Sequence, residues 1–265
     1  MFKVLFPTDF SDNALKALDY ATELVDLLSA ELTLVHTFSV PSSGGSFISI
    51  ESHIRKDATV EMEKLVHRVK SRLRSEPKVE YTIRKADTVP LLVKMAGRYD
   101  LVIMGTQGAS GLKEIFLGSI TNAVLKRTTT PVLAIPNGYP YKPIKSVVLS
   151  MDNEPLNDQK GIQFIKELIR VTMADLMLFH TEQEAADKGI DPEVYKLFSK
   201  AGYSIDYNFS EQSINESLSE MVVDYNVDLL CLVRRNRGLF ANIFHSSVTS
   251  REAFHTSIPL LVLHD

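Results

Sequence analysis

The chain has no tryptophan, a single cysteine among 265 residues, and no apolar run near the ~18 residues that cross a bilayer. One cysteine excludes a disulfide framework. Cys231 lies within Leu229-Leu230-Cys231-Leu232-Val233, the setting of a buried core thiol rather than a reactive one. Neither charge dominates: 29 Lys and Arg stand against 33 Asp and Glu, with both signs interspersed, so no nucleic-acid or membrane surface is expected. The opening stretch Met1 to Pro7 meets Asp9 too soon for the apolar core of a signal peptide, which makes the cytoplasm the expected compartment. With 45% hydrophobic residues and a mean hydropathy of −0.01, the composition is that of a globular protein with material for two cores.

Short apolar runs alternate with helical patterns. Lys3-Val4-Leu5-Phe6-Pro7 is a strand candidate, and Ser11 can cap a helix whose Leu15, Leu18, Ala21, Val25 and Leu28 share one face. Glu31 to His36, Val79 to Ile83, Asp100 to Met104 and Pro131 to Pro136 are further strands, with helical spacing between them. That alternation predicts an α/β fold, a doubly wound parallel sheet joined by crossovers. After the turn-rich connector Pro136-Asn137-Gly138-Tyr139-Pro140-Tyr141-Lys142-Pro143 the pattern restarts. Ser146 to Asp152 repeats Lys3 to Asp9, Leu176 to Thr181 repeats Leu32 to Thr37, and Asp228 to Leu232 repeats Asp100 to Met104. Two tandem domains are predicted, 1–137 and 144–265. The second copy is shorter after its His-Thr, where the first carries Pro41-Ser42-Ser43-Gly44-Gly45-Ser46. That loop has little apolar area to offset the entropy of being fixed, and it is expected to order when ligand binds.

The stretch with the most chemistry runs from Gly105 to Ser119, between the fourth strand and a helical pattern. Gly105, Gly108 and Gly118 would allow positive φ and a close backbone approach to a ligand. Ser119 falls where the helix begins, so its hydroxyl and the orphan N–H groups there suit an anion. Neither G-x-x-x-x-G-K-[ST] nor G-x-G-x-x-G is present.

The spacing of Gly105, Gly108, Gly118 and Ser119 matches the G-x2-G-x9-G-[S/T] nucleotide-binding signature, and the chain resembles the universal stress protein family over nearly its whole length. The resemblance implies five parallel strands per domain in the order 3-2-1-4-5. It also implies ATP as ligand, with or without Mg2+, and pairing of the domains as an internal pseudo-dimer, with further homo-oligomers open. In such a sheet the crevice lies where strand order reverses, between the first and fourth strands. Asp9 ends the first strand; ionised, it only accepts hydrogen bonds, which suits an adenine amino group or a ribose hydroxyl and repels phosphate. It is equally placed to cap the next helix. The family position that holds the adenine edge through its main chain falls on Thr37, leaving phosphate to Gly105, Gly108, Gly118 and Ser119. His36, repeated as His180, reads as structural.

The second copy departs from this signature, with Val233 for Gly105, Asn236 near the place of Gly108, and Ser246 for Gly118, although Asp152, Ser247 and Thr249 remain. No ATP site is expected there. Arg234, Arg235 and Arg237 crowd that loop, either for a different anion or as surface charge where a site was lost. No catalytic set is evident: Ser119, Thr106 and Gln107 are the polar candidates near the phosphates, which allows slow ATP hydrolysis at most. The expected function is ATP binding in the first domain of a stress-response or regulatory protein. The alternative is a nucleotide-independent scaffold that uses the paired domains; an ATP-dependent activating enzyme lacks a substrate motif.

Overall fold

The computed structural model describes residues 1–40, 47–106, 117–151, 154–182, 190–200, 202–209, 214–235 and 257–265. The predicted ligand-ordered loop 41–46, Gly108, Asp152, Asn236, Arg237 and Ser246 lie outside the described residues. β1 (Lys3–Pro7) buries Val4, Leu5 and Phe6, as a strand covered on both faces must. Ser11 then caps α1 (Asp12–Leu28), its hydroxyl accepting the Ala14 N–H at 3.2 Å. Leu18, Ala21, Leu24, Val25 and Leu28 recur at helical spacing and are buried, and the helix stops at Ser29 in the left-handed region, φ 49°. The first half continues with β2 (Glu31–Phe38), α2 (Phe47–Lys70), β3 (Val79–Lys85), α3 (Thr88–Ala96), β4 (Leu101–Gly105), α4 (Ser119–Leu125) and β5 (Val132–Ile135). The second repeats it with β6 (Ser146–Ser150), α5 (Gln159–Thr172), β7 (Asp175–Glu182), α6 (Pro192–Phe198), β8 (Ser204–Phe209), α7 (Ile214–Asp224), β9 (Leu229–Arg234) and β10 (Leu260–His264).

The strands form one ten-stranded sheet, β3-β2-β1-β4-β5-β10-β9-β6-β7-β8. Read from its own third strand, each half has the order 3-2-1-4-5, and every pairing within a half is parallel. What the sequence pattern did not anticipate is the seam. β5 and β10 pair antiparallel, with Leu260 opposite Ala134, Leu261 opposite Leu133 and Val262 opposite Val132. Each is a short apolar strand at the edge of its half, where unpaired N–H and C=O groups would face outward. Pairing the two satisfies both edges and buries their side chains. Alternation along β4 sends Leu101 and Ile103 to a core beneath α1, α2 and α5, and Val102 and Met104 to a core beneath α3, α4 and α7.

The registers set the two halves side by side. Val4 pairs with Leu101 and Val147 with Leu229, which makes Gly105 and Val233 equivalent, and with them Pro136 and His264. β1 and β4 are adjacent although their partners run off in opposite directions, so their carboxyl ends flank a crevice.

Candidate functional site

That crevice holds a cavity of about 250 Å³. Its apolar side is built from Val35, Leu92 and Met104, all nearly inaccessible to solvent, and its polar side from Asp9, Thr37, Thr88, Ser119 and Thr121. Gly105 and Gly118 complete the lining where β4 ends and α4 begins. Five of the six sequence-predicted site residues, Asp9, Thr37, Gly105, Gly118 and Ser119, are thus brought to one place from β1, β2, β4 and α4; the sixth, Gly108, is outside the described residues.

Local hydrogen bonds fix this geometry. Thr8 donates its N–H to the Val35 carbonyl at 2.9 Å, and the His36 Nδ1–H donates to the Thr8 carbonyl at 2.9 Å, which ties the ends of β1 and β2 together. His180 makes the same bond to the Met151 carbonyl at 2.9 Å, so the repeated histidine is a structural latch in both halves. Asp9 is exposed at the cavity edge. Its Oδ1 accepts the Ser11 N–H at 3.1 Å and the Ser11 hydroxyl at 2.6 Å, which braces the start of α1 while the residue lines the cavity. Thr37 and Thr88 share a hydroxyl–hydroxyl hydrogen bond of 2.7 Å across the β2 and α3 ends. The Thr121 hydroxyl donates to the Gly105 carbonyl at 2.8 Å, and the Gly118 N–H donates to the Thr106 carbonyl, so the two ends of the glycine-rich stretch are held together. Thr106 is buried, and its hydroxyl has no hydrogen-bond partner among the described residues.

The expected reason for the glycines needs correction. Among the described residues the glycines with positive φ are Gly138 and Gly202; Gly105 is extended at the end of β4, and Gly118 precedes α4 at φ −54°, ψ 156°. Gly105 and Gly118 therefore do not use the left-handed backbone expected of them. The equivalent of Gly105 makes the point: Val233 is extended too, and its side chain is wholly buried in the core. Valine there needs no strained backbone; its side chain packs with Leu229 and Cys231 in the core beneath α1, α2 and α5.

Thr88 and Thr121 were not singled out from the sequence. A threonine near a helix start is an ordinary capping signal, and only the retention of Thr249 in the second copy set Thr121 apart. The arginines of the second half also resolve. Arg235 Nη1 lies 3.1 Å from Asp265 Oδ2, and its Nη2 donates to the carbonyls of Glu154 at 3.1 Å and Pro155 at 2.7 Å, a structural brace rather than a ready anion site. Arg234 ends β9, where burial pushes its guanidinium below the usual range. Burial raises the Cys231 thiol, in keeping with an inert core residue. Among the described residues no group of three or more His, Cys, Asp or Glu is placed to hold a metal, and no helix is long and apolar enough to cross a membrane.

A doubly wound sheet with a polar-and-apolar cavity at its switch point defines a class of small-molecule-binding α/β proteins. Comparison with known proteins narrows the class. The model of the universal stress protein family matches residues 1–136, and the chain belongs to that family. It is similar to universal stress protein MJ0577 of Methanocaldococcus jannaschii, 29% identical over 154 residues that cover 50% of this chain and 93% of that protein. Universal stress protein YxiE of Bacillus subtilis is 30% identical over 145 residues, covering 50% of this chain and 97% of YxiE. Among solved structures, a universal stress protein from Archaeoglobus fulgidus superposes with a TM-score of 0.75 over 99% of this chain and 96% of its own; at 19% identity the likeness is one of fold.

Proposed function

We propose that the first half of this universal stress protein binds ATP in the β1/β4 crevice and acts as a nucleotide-responsive regulator. The observation that carries the reading is the convergence of Asp9, Thr37, Gly105, Gly118 and Ser119, separated by up to 110 residues of chain, on one cavity. The lining suits the ligand. A flat base fits against Val35, Leu92 and Met104, while Asp9 accepts from a ribose hydroxyl or an amino group and Thr37 offers main-chain groups to the adenine edge. A cavity of about 250 Å³ holds the nucleoside, which leaves the phosphates on the side of Gly118 and Ser119, away from the Asp9 charge. Mg2+, where present, would be held by phosphate oxygens and water rather than by a protein cage.

On this reading the domains are 1–137 and 144–265, paired through β5 and β10 as an internal pseudo-dimer, and the second domain holds no ATP because Val233 fills the place of Gly105. The cytoplasm is the compartment where ATP is available to such a site. Among the described lining residues none positions a base or orients a water, and the reading is of binding with slow ATP hydrolysis at most. Titration calorimetry tests it: one ATP per chain is expected. Two equivalent sites would show that Val233 does not close the second crevice. No heat, together with no adenine nucleotide in an acid extract of purified protein, would favour the nucleotide-independent scaffold.

A further inference from the structure

At the amino ends of its own strands, away from its own switch point, each half carries a different residue at one equivalent helix position. α1 and α5 both end on a left-handed residue, Ser29 and Met173. Counting back three positions from each sets Asp26 against Arg170. Asp26, 9% exposed, holds the return of α2 to β3: its Oδ1 accepts the Arg74 N–H at 2.9 Å, the Ser75 N–H at 2.8 Å and the Ser75 hydroxyl at 2.8 Å, and Oδ2 accepts Arg74 Nε–H at 2.9 Å. Among the described residues the second half has no such clamp. α6 has 7 residues against the 24 of α2, and a cation stands in the place of the carboxylate.

Between the ends of α5 and α6 a cavity of about 700 Å³ opens instead, lined by Lys166, Arg170, Lys196 and Lys200, with Asp175 and the 85% exposed Met173. Two of the cations already have neighbours: Arg170 Nη2 is 2.5 Å from Glu167 and Lys196 Nζ is 2.5 Å from Glu193. Arg170 holds Glu167 through a second bond as well, Nε–H to Oε2 at 2.7 Å, whereas the Lys196–Glu193 pair is exposed on both sides and yields more readily to a better-placed partner. Lys166 Nζ rests 5.9 Å from the centre of the Phe198 ring, and Lys200 makes no ion pair among the described residues. The chain as a whole carries a net charge of −4, so this concentration of cations runs against the general surface. A groove this wide is larger than a single inorganic anion needs. Its mixture of mobile cations and a pliable thioether matches an extended segment that offers both carboxylates and an apolar side chain.

We propose that the α5–α6 groove docks an acidic peptide segment of a partner protein, its carboxylates against Lys166, Arg170, Lys196 and Lys200 and an apolar side chain against Met173. The inference is independent of the ATP reading, since none of these residues lines the nucleotide cavity. The test is fluorescence anisotropy of a short labelled Glu–Leu peptide with the full chain at low salt. Binding should weaken roughly tenfold or more in Lys166→Glu/Lys200→Glu, which disrupts no ion pair among the described residues, and should be unchanged in the control Lys56→Glu on α2. Met173→Ser should weaken the Glu–Leu peptide and spare a Glu–Ser peptide; it also provides a reading should the double variant fold poorly. Absence of binding overturns the proposal, as does binding undiminished by Lys166→Glu/Lys200→Glu or by Met173→Ser. Displacement by inorganic phosphate or a single-stranded oligonucleotide as readily as by unlabelled peptide overturns it too, because simple anion attraction would then account for the signal.

Discussion

The two halves of the molecule share strand order and register and part company at both edges of the sheet. At the carboxyl ends of its strands the first half has Gly105 lining a cavity where the second has the buried Val233; at the amino ends Asp26 closes a junction that Arg170 leaves open. The centre does not diverge in this way. Val4, Leu5 and Phe6 face the same surroundings as Val147, Val148 and Leu149, each buried on a strand whose slip by one residue would turn its side chains to the wrong core. Register is therefore held by many buried residues at once, whereas each edge property rests on one or two positions.

The largest effect should come from making the first half resemble the second. Gly105→Val adds a branched side chain at the end of β4, where Gly105 lines the cavity and its carbonyl accepts the Thr121 hydroxyl, and it reproduces the residue of the second half. Loss of ATP affinity by about a hundredfold, ~3 kcal/mol, is expected with the circular dichroism spectrum retained. Gly118→Val should act likewise. Affinity within about threefold of wild type, a change below ~1 kcal/mol, would break the comparison at this edge.

A smaller effect separates the halves at the seam, where the second has His264 and the first Pro136. His264 Nε2–H donates to the Leu125 carbonyl of α4 at 2.9 Å, and its buried Nδ1 has no partner among the described residues. Burial, aided by the charge of Arg234 and opposed by the Leu125 bond, pushes its pKa down from 6.5 to about 4. Between those values the unfolded chain binds the proton and the folded chain does not. Stability from this group is thus complete above pH 6.5 and falls as pH drops toward 4, by about 3 kcal/mol. His264→Phe keeps the ring buried and should flatten urea-derived stability across that window relative to wild type, while Asp158, whose buried carboxyl is shifted upward, contributes alike to both proteins. Parallel curves for the two proteins would show that the imidazole is not the group that titrates.

Much of this was legible in the primary structure for a physical reason. Strand ends in a doubly wound sheet fix where a site must lie, and Asp9, Gly105 and Ser119 sit at element boundaries that periodicity marks clearly. The seam was not legible, because pairing of β5 with β10 depends on two edges far apart in the chain finding each other and leaves no local pattern. Nor was the true role of the glycines, since a sequence shows that a side chain is missing but not whether conformation or space is the reason. Arg235 shows the same limit: its partners, Asp265 and two loop carbonyls, are assembled only by the fold.

The smallest of these effects tests the amino edge. Burial alone would raise the Asp26 carboxyl, but the Ser75 N–H and hydroxyl, with the Arg74 side chain and N–H, outweigh it and hold the pKa down from 3.8 to about 2. The folded state releases this proton more readily than the unfolded one, so the stabilisation is fully present above pH 3.8 and disappears as pH falls toward 2, about 2 kcal/mol in all. Asp26→Asn keeps the shape but turns an acceptor of four hydrogen bonds into a group that also donates, set against donors from Arg74 and Ser75. It should cost about 2 kcal/mol at neutral pH. Arg170→Ala at the equivalent place loses only an exposed pair with Glu167, and should change stability by less than about 0.5 kcal/mol. Urea titration of both variants at pH 7, repeated at pH 3, provides the check. The gap between wild type and Asp26→Asn must narrow at the lower pH as the wild-type carboxylate begins to protonate. Equal costs for the two variants, or a gap that stays constant on acidification, would mean that the charge reversal at this edge carries no stability of its own.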